Sequence, residues 1–337
     1  MATELESELS QLCVVDTNDI PTVPVHQHHL HAPLGPLIQL ECFSTNEQNE
    51  AVEDDSQLRF LVLPPHPKAP PFPWDLSKGI QDWAPSIKIP LIFNWLLKHG
   101  IPEVDFVCRR TLLVTLAGTP YRRQEPWTIA IVRLRDTLFL HHKDPIDFAG
   151  HEDGHWKSCM YWGLKVKDFF AMDEKGQLAV EAGVNRNRGF HRLLQRSLGQ
   201  HKLLLGTRMD VLDHQRHQFV NTKLYKEPKH GGQEKGLRYK AQSWWLQARL
   251  VGVERVLAGV REEDGLVHSV KVGQQCLNFA NSSRSLISRT VQENDPHQVW
   301  LLEFKKGSRE VEAPRQLAGE ENEKFAFLPN NFVQHFS

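Results

Sequence analysis

Residues 203–223 read LLLGTRMDVLDHQRHQFVNTK. An apolar run, Leu203 to Val211, is followed by a polar turn and a second run, Gln218 to Leu224, and the pattern predicts two adjacent strands. Side chains alternate across a strand, so Arg208 and Asp210 share one face, as do Asn221 and Lys223. An acidic residue on one strand and an acidic-x-Lys on the next is an arrangement of metal-dependent nucleases. The carboxylates hold Mg²⁺ or Mn²⁺, and the lysine orients water or steadies a charged phosphate. Here the second element is Asn221-Thr222-Lys223, and Asp and Lys on paired strands equally describe an ordinary surface hairpin.

Around this stretch the elements alternate. Leu37 to Phe43 and Leu58 to Leu63 read as strands, with an acidic, Asn-rich loop over residues 44–56. Six prolines between Pro64 and Pro73 (64, 65, 67, 70, 71 and 73) make an extended arm that can be neither helix nor inner strand. Pro90 opens a helix carrying Leu91, Phe93, Trp95, Leu96 and Leu97, which stops at Gly100. Thr128 to Leu134 and Thr137 to His141 form a hairpin about Arg135-Asp136. Residues 156–172 read as a helix with Met160, Leu164, Lys167 and Phe170 on one stripe, which puts Lys167 on the inward face, where a cation needs a partner. Residues 240–250 form a helix with Trp244, Trp245 and Ala248. Val256 to Val260 and Leu266 to Val270 form a hairpin about Glu263-Asp264-Gly265, residues 275–292 an amphipathic helix, and Val299 to Phe304 a last strand. The mixture predicts an α+β fold: one mixed-sheet domain with flanking helices over 36–337, preceded by a flexible segment, 1–35.

The chain has 337 residues, with 40 Lys and Arg against 41 Asp and Glu, a net charge of −1. That excludes a polybasic protein that binds nucleic acid through a global excess, but not a local basic cleft. Five scattered cysteines without a C-x-x-C fit neither a disulfide framework nor a zinc site and read as reduced cytosolic or nuclear thiols. No apolar run approaches the roughly 18 residues of a membrane span, and the acidic N-terminus lacks a signal-like apolar region. His26, His28, His29 and His31 could bind a metal, but no carboxylate or Cys completes a shell. Arg186, Arg188, Arg192, Arg196 and Lys202 form a basic run, either an approach path for RNA or a solvated face.

Several strings are specific in combination: Cys42-Phe43-Ser44, Trp95-Leu96-Leu97, Arg110 within VCRRTLL, Thr119-Pro-Tyr-x-Arg-Gln-Glu-x-Trp127, Met160-Tyr161-x-Gly163-x-Lys165, Val184-Asn185-x-Asn187, Leu198-Gly199-x-His201, Trp244-Trp245-x-Gln247 and Phe327-Leu328-Pro329. On these the chain resembles the decapping exoribonuclease (DXO-like) family over most of its length. The resemblance implies that family's nuclease fold, removal of incomplete or non-canonical caps from RNA five-prime ends, and RNA as the partner. Some members also partner the nuclear five-to-three-prime exoribonuclease. The family's site uses an Arg, a helix Glu, a Glu-x-Asp on one strand, a Glu-x-Lys on the next, and a Gln. By position the Arg is Arg110, the Gln is Gln247, the Asp is Asp210 and the Lys is Lys223. The three glutamates fall on Lys167, Arg208 and Asn221.

That departure changes the charge. The family's four carboxylates and one lysine sum to −3, whereas Lys167, Arg208 and Lys223 against Asp210 sum to +2. At 4 Å and an effective dielectric near 20, each further like-charge contact costs a 2+ ion about 8 kcal/mol. Asp210 is thus a residual metal ligand and no cofactor is expected; Mg or Mn enters only if Asp168 or Asp213 restores a ligand. The leading expectation is a catalytically degenerate family member that binds RNA five-prime ends through Arg110, Lys167, Arg208, Lys223 and Gln247 and protects or scaffolds transcripts. The resemblance to a degenerate member of that family further implies action in the nucleus, and also in the cytoplasm, with piRNA-source transcripts and chromatin-linked germline proteins as partners. The alternatives are an active metal-dependent decapping pyrophosphohydrolase or exoribonuclease with relocated ligands, and a protein-interaction module without RNA binding.

Overall fold

The computed structural model describes residues 22–24, 33–64, 66–79, 91–122, 125–143, 154–178, 180, 184–228, 231–273, 287, 290–291, 294–305, 308 and 310–336. The His26–His31 cluster, Asn281-Ser-Ser and nearly all of the helix expected over 275–292 lie outside these residues.

In chain order the strands are β1 (Thr22–Pro24), β2 (Leu34–Thr45), β3 (Ala51–Val52), β4 (Phe60–Leu61), β5 (Trp74–Asp75), β6 (Phe106–Arg109), β7 (Trp127–Leu134), β8 (Thr137–Lys143), β9 (Ala171–Met172), β10 (Gly189–Leu198), β11 (His201–Met209), β12 (Val211–Asp213), β13 (Gln218–Lys226), β14 (Arg255–Arg261), β15 (Leu266–Gly273), β16 (Trp300–Phe304), β17 (Glu310–Glu312) and β18 (Arg315–Gln316). The helices are α1 (Leu91–His99), α2 (Arg110–Gly118), α3 (Gly154–Phe169), α4 (Gly231–Leu250), α5 (Gly319–Phe325) and α6 (Asn330–Phe336). The expected α+β architecture of sheets with flanking helices is what the chain adopts.

Among the described residues, one sheet runs β18-β16-β7-β8-β6-β11-β10-β2-β3 and a second runs β5-β15-β14-β13-β12-β4-β9. Both contain antiparallel and parallel pairs. A separate pair, β1 with β17, ties Thr22–Pro24 to Glu310–Glu312. The turns follow the residues that permit them. Arg135 and Asp136 both have positive φ, the conformation of a two-residue hairpin turn, and join β7 to β8. Gly100 ends α1 at φ +83°, and Gly265 turns β14 into β15 at φ +91°.

The two faces of the nine-stranded sheet bury different helices. Leu203 and Leu205 of β11 pack with Leu112, Leu113 and Leu116 of α2 and with Leu246 of α4. Leu204, pointing the other way, packs with Ile92, Phe93 and Leu96 of α1 and Phe332 of α6. In the seven-stranded sheet, Val211, Val220 and Leu257 meet Tyr161, Trp162, Val166 and Phe169 of α3.

Two expectations are corrected. The runs 203–211 and 218–224 do not pair with one another along their length. β11 pairs with β10 and β6 in the first sheet, whereas β12, one residue further on, pairs with β13 in the second. Asp210 is the hinge residue between them, so one extended run crosses from sheet to sheet. The helical stripe is also displaced. α3 ends at Phe169, and its buried side chains are Tyr161, Trp162, Lys165, Val166 and Phe169, while Met160 is exposed. The reason is the weight of aromatic surface: two turns carrying Tyr161, Trp162 and Phe169 bury more apolar area than a face centred on Met160 and Leu164.

Gly265 and Gly163 provide a paired test of this packing. A Cβ on Gly265 would meet Trp162 Cε2 at 2.6 Å in a backbone conformation that L-residues avoid, whereas a Cβ on Gly163 in α3 would meet nothing within 4 Å. Gly265→Ala is expected to destabilise the protein by about 2 kcal/mol and Gly163→Ala to stabilise it by about 0.5 kcal/mol, read by denaturant unfolding.

Candidate functional site

Asp210 leaves the first sheet with its carboxylate buried to 6% exposure. Lys167, near the end of α3, reaches it and sets Nζ 2.5 Å from Oδ1. The backbone N–H of Thr222 on β13 donates to Oδ2 at 2.8 Å. Lys223 donates to Gln247 Oε1 on α4 at 2.7 Å, and Arg110, at the start of α2, approaches the Gln247 carbonyl oxygen at 3.5 Å. Four elements thus bring together Lys167, Asp210, Lys223, Gln247 and Arg110, residues separated by as many as 137 positions in the chain.

The electrostatics follow from that crowding. Burial by itself would raise the Asp210 carboxyl, but Lys167, Lys223 and the Thr222 N–H outweigh it and hold the group well below the usual carboxylate range. Burial pushes Lys223 down to about 7; Asp210 opposes that shift, while Lys167 and Arg110 add to it. Several polar atoms are left over: the side-chain nitrogen and oxygen of Asn221, Thr222 Oγ1 and Arg110 Nε are buried without a hydrogen-bond partner. Unsatisfied buried polar atoms are costly, and their concentration beside Lys223 marks a place where a polar ligand can be received. A cleft of about 770 Å³ between α2 and α4 opens onto Gln247, with Tyr121, Arg122, Tyr239, Ser243 and Trp244 on its walls.

Arg208 stands apart. It lies in β11 on the face opposite α2, donates from Nη1 to the Arg186 carbonyl oxygen at 3.2 Å, and feels Asp210 and Asp168 through space. The two carboxylates that could have restored a metal ligand are engaged elsewhere. Asp168, pushed up to about 6 chiefly by burial, has Lys165 Nζ at 3.5 Å, and Asp213 receives Arg255 Nη1 at 2.5 Å. Lys165 is fully buried, a feature the sequence reading missed because lysine is not read as core.

The basic run does not act as one face. Arg196 is buried and donates to the carbonyl oxygens of Gly35 and Arg249, Arg192 donates to Gln39 and lies over Phe219, Arg188 pairs with Glu47, and Lys202 pairs with Glu103. Only Arg192 and Arg196 lie in β10; Arg186 and Arg188 precede it and Lys202 belongs to β11, so the run is spread over different elements and partners.

The sequence matches the profile of the RAI1-like PD-(D/E)XK nucleases over residues 38–333. This chain belongs to that family. The human decapping and exoribonuclease protein is 29% identical, over 88% of this chain and 84% of its own length, and the Caenorhabditis elegans decapping nuclease dom-3 is 27% identical, over 61% and 58%. Among solved structures, Candida albicans Rai1, in complex with pU5 and Mn²⁺, superposes with a TM-score of 0.79 at 16% identity, covering 94% of this chain and 98% of that one. The Dxo1 of K. lactis, in complex with manganese, superposes at 0.58, covering 88% and 96%. RAI1-like relatives therefore hold manganese. The residues of this chain do not fit such an ion: among the described residues, no three His, Cys, Asp or Glu side chains come close enough to share a metal, and the Asp210 carboxylate is already taken by an ammonium and a backbone N–H.

The Lys223 shift fixes a pH signature. Between about 7 and the unfolded-chain value near 10.4, the unfolded state carries a proton at Lys223 that the folded state has lost, so stability rises with pH across that window. Urea titrations from pH 6.5 to 10 should show this rise, and Lys223→Met should flatten it. Lys167→Met, which strands the buried Asp210 carboxylate, should cost about 3 kcal/mol at pH 7.

Proposed function

We propose that this chain is a catalytically degenerate RAI1-like nuclease that grips RNA five-prime ends without hydrolysing them, and so shields or scaffolds transcripts. The observation that carries the reading is the Lys167–Asp210 contact: an ammonium lies against the carboxylate where relatives of the family place metal chemistry. Fixed side-chain charge then does what a divalent ion does elsewhere, neutralising phosphate oxygens, but it supplies no activated water. Lys223 and Arg110 provide further positive charge, and the unbonded Asn221 amide and Arg110 Nε supply hydrogen-bonding capacity for phosphate or ribose oxygens. The wide cleft beside Gln247, with Tyr121, Tyr239 and Trp244, suits a single strand whose bases stack on aromatic rings.

The pU5 bound to Candida albicans Rai1 supports RNA as the ligand class for this chain. In its loss of site carboxylates the chain resembles the fly germline protein Cutoff, and by that resemblance we place its action in the nucleus, on piRNA-source transcripts, with the nuclear five-to-three-prime exoribonuclease or chromatin-linked germline proteins as partners.

The test uses five-prime-phosphorylated U5, the same oligonucleotide carrying an unmethylated five-prime cap, and the purified protein. Binding in excess EDTA should equal binding in Mn²⁺, with no mononucleotide or cap released in either. Lys167→Glu should weaken binding at least tenfold and lower the slope of log affinity against log salt by about 1. Manganese-dependent release of nucleotide or cap that disappears in Asp210→Ala would overturn the proposal, and salt-independent or absent RNA binding would favour a protein-interaction role.

A further inference from the structure

Behind Trp244 lies a second cavity, of about 190 Å³, between α4 and the seven-stranded sheet. Tyr225 of β13, Val256 and Ala258 of β14 and Lys271 of β15 line it from the sheet, and Trp244 and Trp245 of α4 line it from the helix. The Tyr225 and Trp244 rings stand with centroids 6.2 Å apart. At about 15 Å³ per water the space takes roughly a dozen of them, close to the heavy-atom count of a purine. Aromatic and aliphatic side chains make up most of the lining, the composition of a small-molecule pocket. At its edge Lys271 donates to Glu227 at 3.0 Å and lies against the Tyr225 hydroxyl, which sets a hydrogen-bond donor beside an acceptor.

Strand register ties this cavity to the Asp210 site. Lys223 of β13 pairs with Ala258 of β14, Ala258 pairs with Lys271 of β15, and Asn221 pairs with Val256. Neighbouring strands lie about 4.8 Å apart, so the cavity floor is the row next to Asn221 and Lys223. Alternation puts Asn221, Lys223 and Tyr225 on one face of β13. That face meets α4, where Lys223 bonds Gln247 and the Tyr225 ring meets Trp244. Trp244, about one helical turn before Gln247, is a wall both of this cavity and of the cleft that opens onto Gln247. The small side chain of Ala258 keeps the floor low between the two lysines.

A nucleotide joins a phosphate to a flat heterocycle whose edge carries both donors and acceptors. An aromatic slot one strand away from Lys223, with a donor and an acceptor at its edge, matches that combination: rings take the face of a base, and a polar pair meets its edge. We propose that this cavity holds a nucleobase of the RNA end, with its face against Trp244 and its polar edge towards Lys271 and Glu227. The proposal rests on the reading of the Asp210 site as an RNA-end site, and it adds base recognition to phosphate recognition. The first base of the strand and the guanine of a cap share this chemistry.

The test measures the affinity of the full chain, by fluorescence anisotropy, for three strands labelled at the three-prime end. These are five-prime-phosphorylated U5, the same strand with an abasic first residue, and the strand with an unmethylated five-prime cap. One step, from abasic strand to U5 or from U5 to capped strand, should raise affinity about tenfold. The first step assigns the cavity to the first base, the second to the cap guanine. Ala258→Leu, which fills the floor, should abolish that step and leave the affinity for the abasic strand unchanged. Lys271→Met, at the exposed edge, should shrink the same step about threefold, and it decides the outcome if Ala258→Leu lowers the unfolding midpoint. The absence of both steps, or a step that survives in the folded variants, would overturn the proposal and leave the RNA-end site standing. Failure of every strand to bind, or binding indifferent to Lys167→Glu, would remove the reading beneath it and the proposal with it.

Discussion

The fold turns on a buried carboxylate at the seam of two sheets. Asp210 occupies the single residue at which the chain stops pairing with β10 and starts pairing with β13. A charge placed there has to be neutralised, because an isolated carboxylate out of water costs several kcal/mol. Lys167 supplies the counter-charge from α3, and Thr222 supplies an N–H from β13. One side chain thereby joins the end of a helix, the second sheet and the exit from the first. The same seam continues through Lys223 to Gln247 and from the Gln247 backbone towards Arg110, so α4 and α2 are tied to the junction as well. Removing the charge at its centre affects packing and ligand recognition together, which is why the site and the fold cannot be varied separately here.

Local chemistry made much of this legible in sequence. The Arg135-Asp136 and Gly265 turns, the stop at Gly100 and the C-terminal half of the helix Gly231–Leu250, read as 240–250 through Trp244, Trp245 and Ala248, are written in residues whose conformational preferences act within a few positions. So is the need of Lys167 for a partner, which Asp210 meets. The crossing at Asp210 was not legible, because a period of two runs unbroken from Leu203 to Asp213 and says nothing about which sheet each half joins. Nor was the burial of Lys165, since a fully enclosed ammonium is written in the same letter as a solvent-facing one.

Arg208 shows where reading by position stops. On pattern alone it shares a face with Asp210, and the change of sheet between β11 and β12 undoes that geometry. The long side chain follows the first sheet, lies close enough to Gly189 that a Cβ there would meet its Nε at 2.5 Å, and ends on the Arg186 carbonyl oxygen. The positive charge at the Asp210 site is carried instead by Lys167, by Lys223, half-titrated near neutrality, and by Arg110.

Two of the three replacements relative to the family pattern, Lys167 and Asn221, bear on the same carboxylate. Lys167 is compatible with burial because Asp210 remains, and Asp210 remains charged because Lys167 and Lys223 surround it. Asn221 is the neutral member: a second carboxylate at that position would compete with Asp210 for Lys223, whereas an amide leaves the lysine to Gln247. Restoring one glutamate would therefore not rebuild a metal site. A carboxylate at 167 would face Asp210 with Lys223 as the nearest counter-charge, and its pKa would rise as carboxylates sharing a site do, so the pair would hold a proton before it held a divalent ion. The electrostatic state of the pocket belongs to the set of residues, and a metal-binding state lies several coordinated substitutions away.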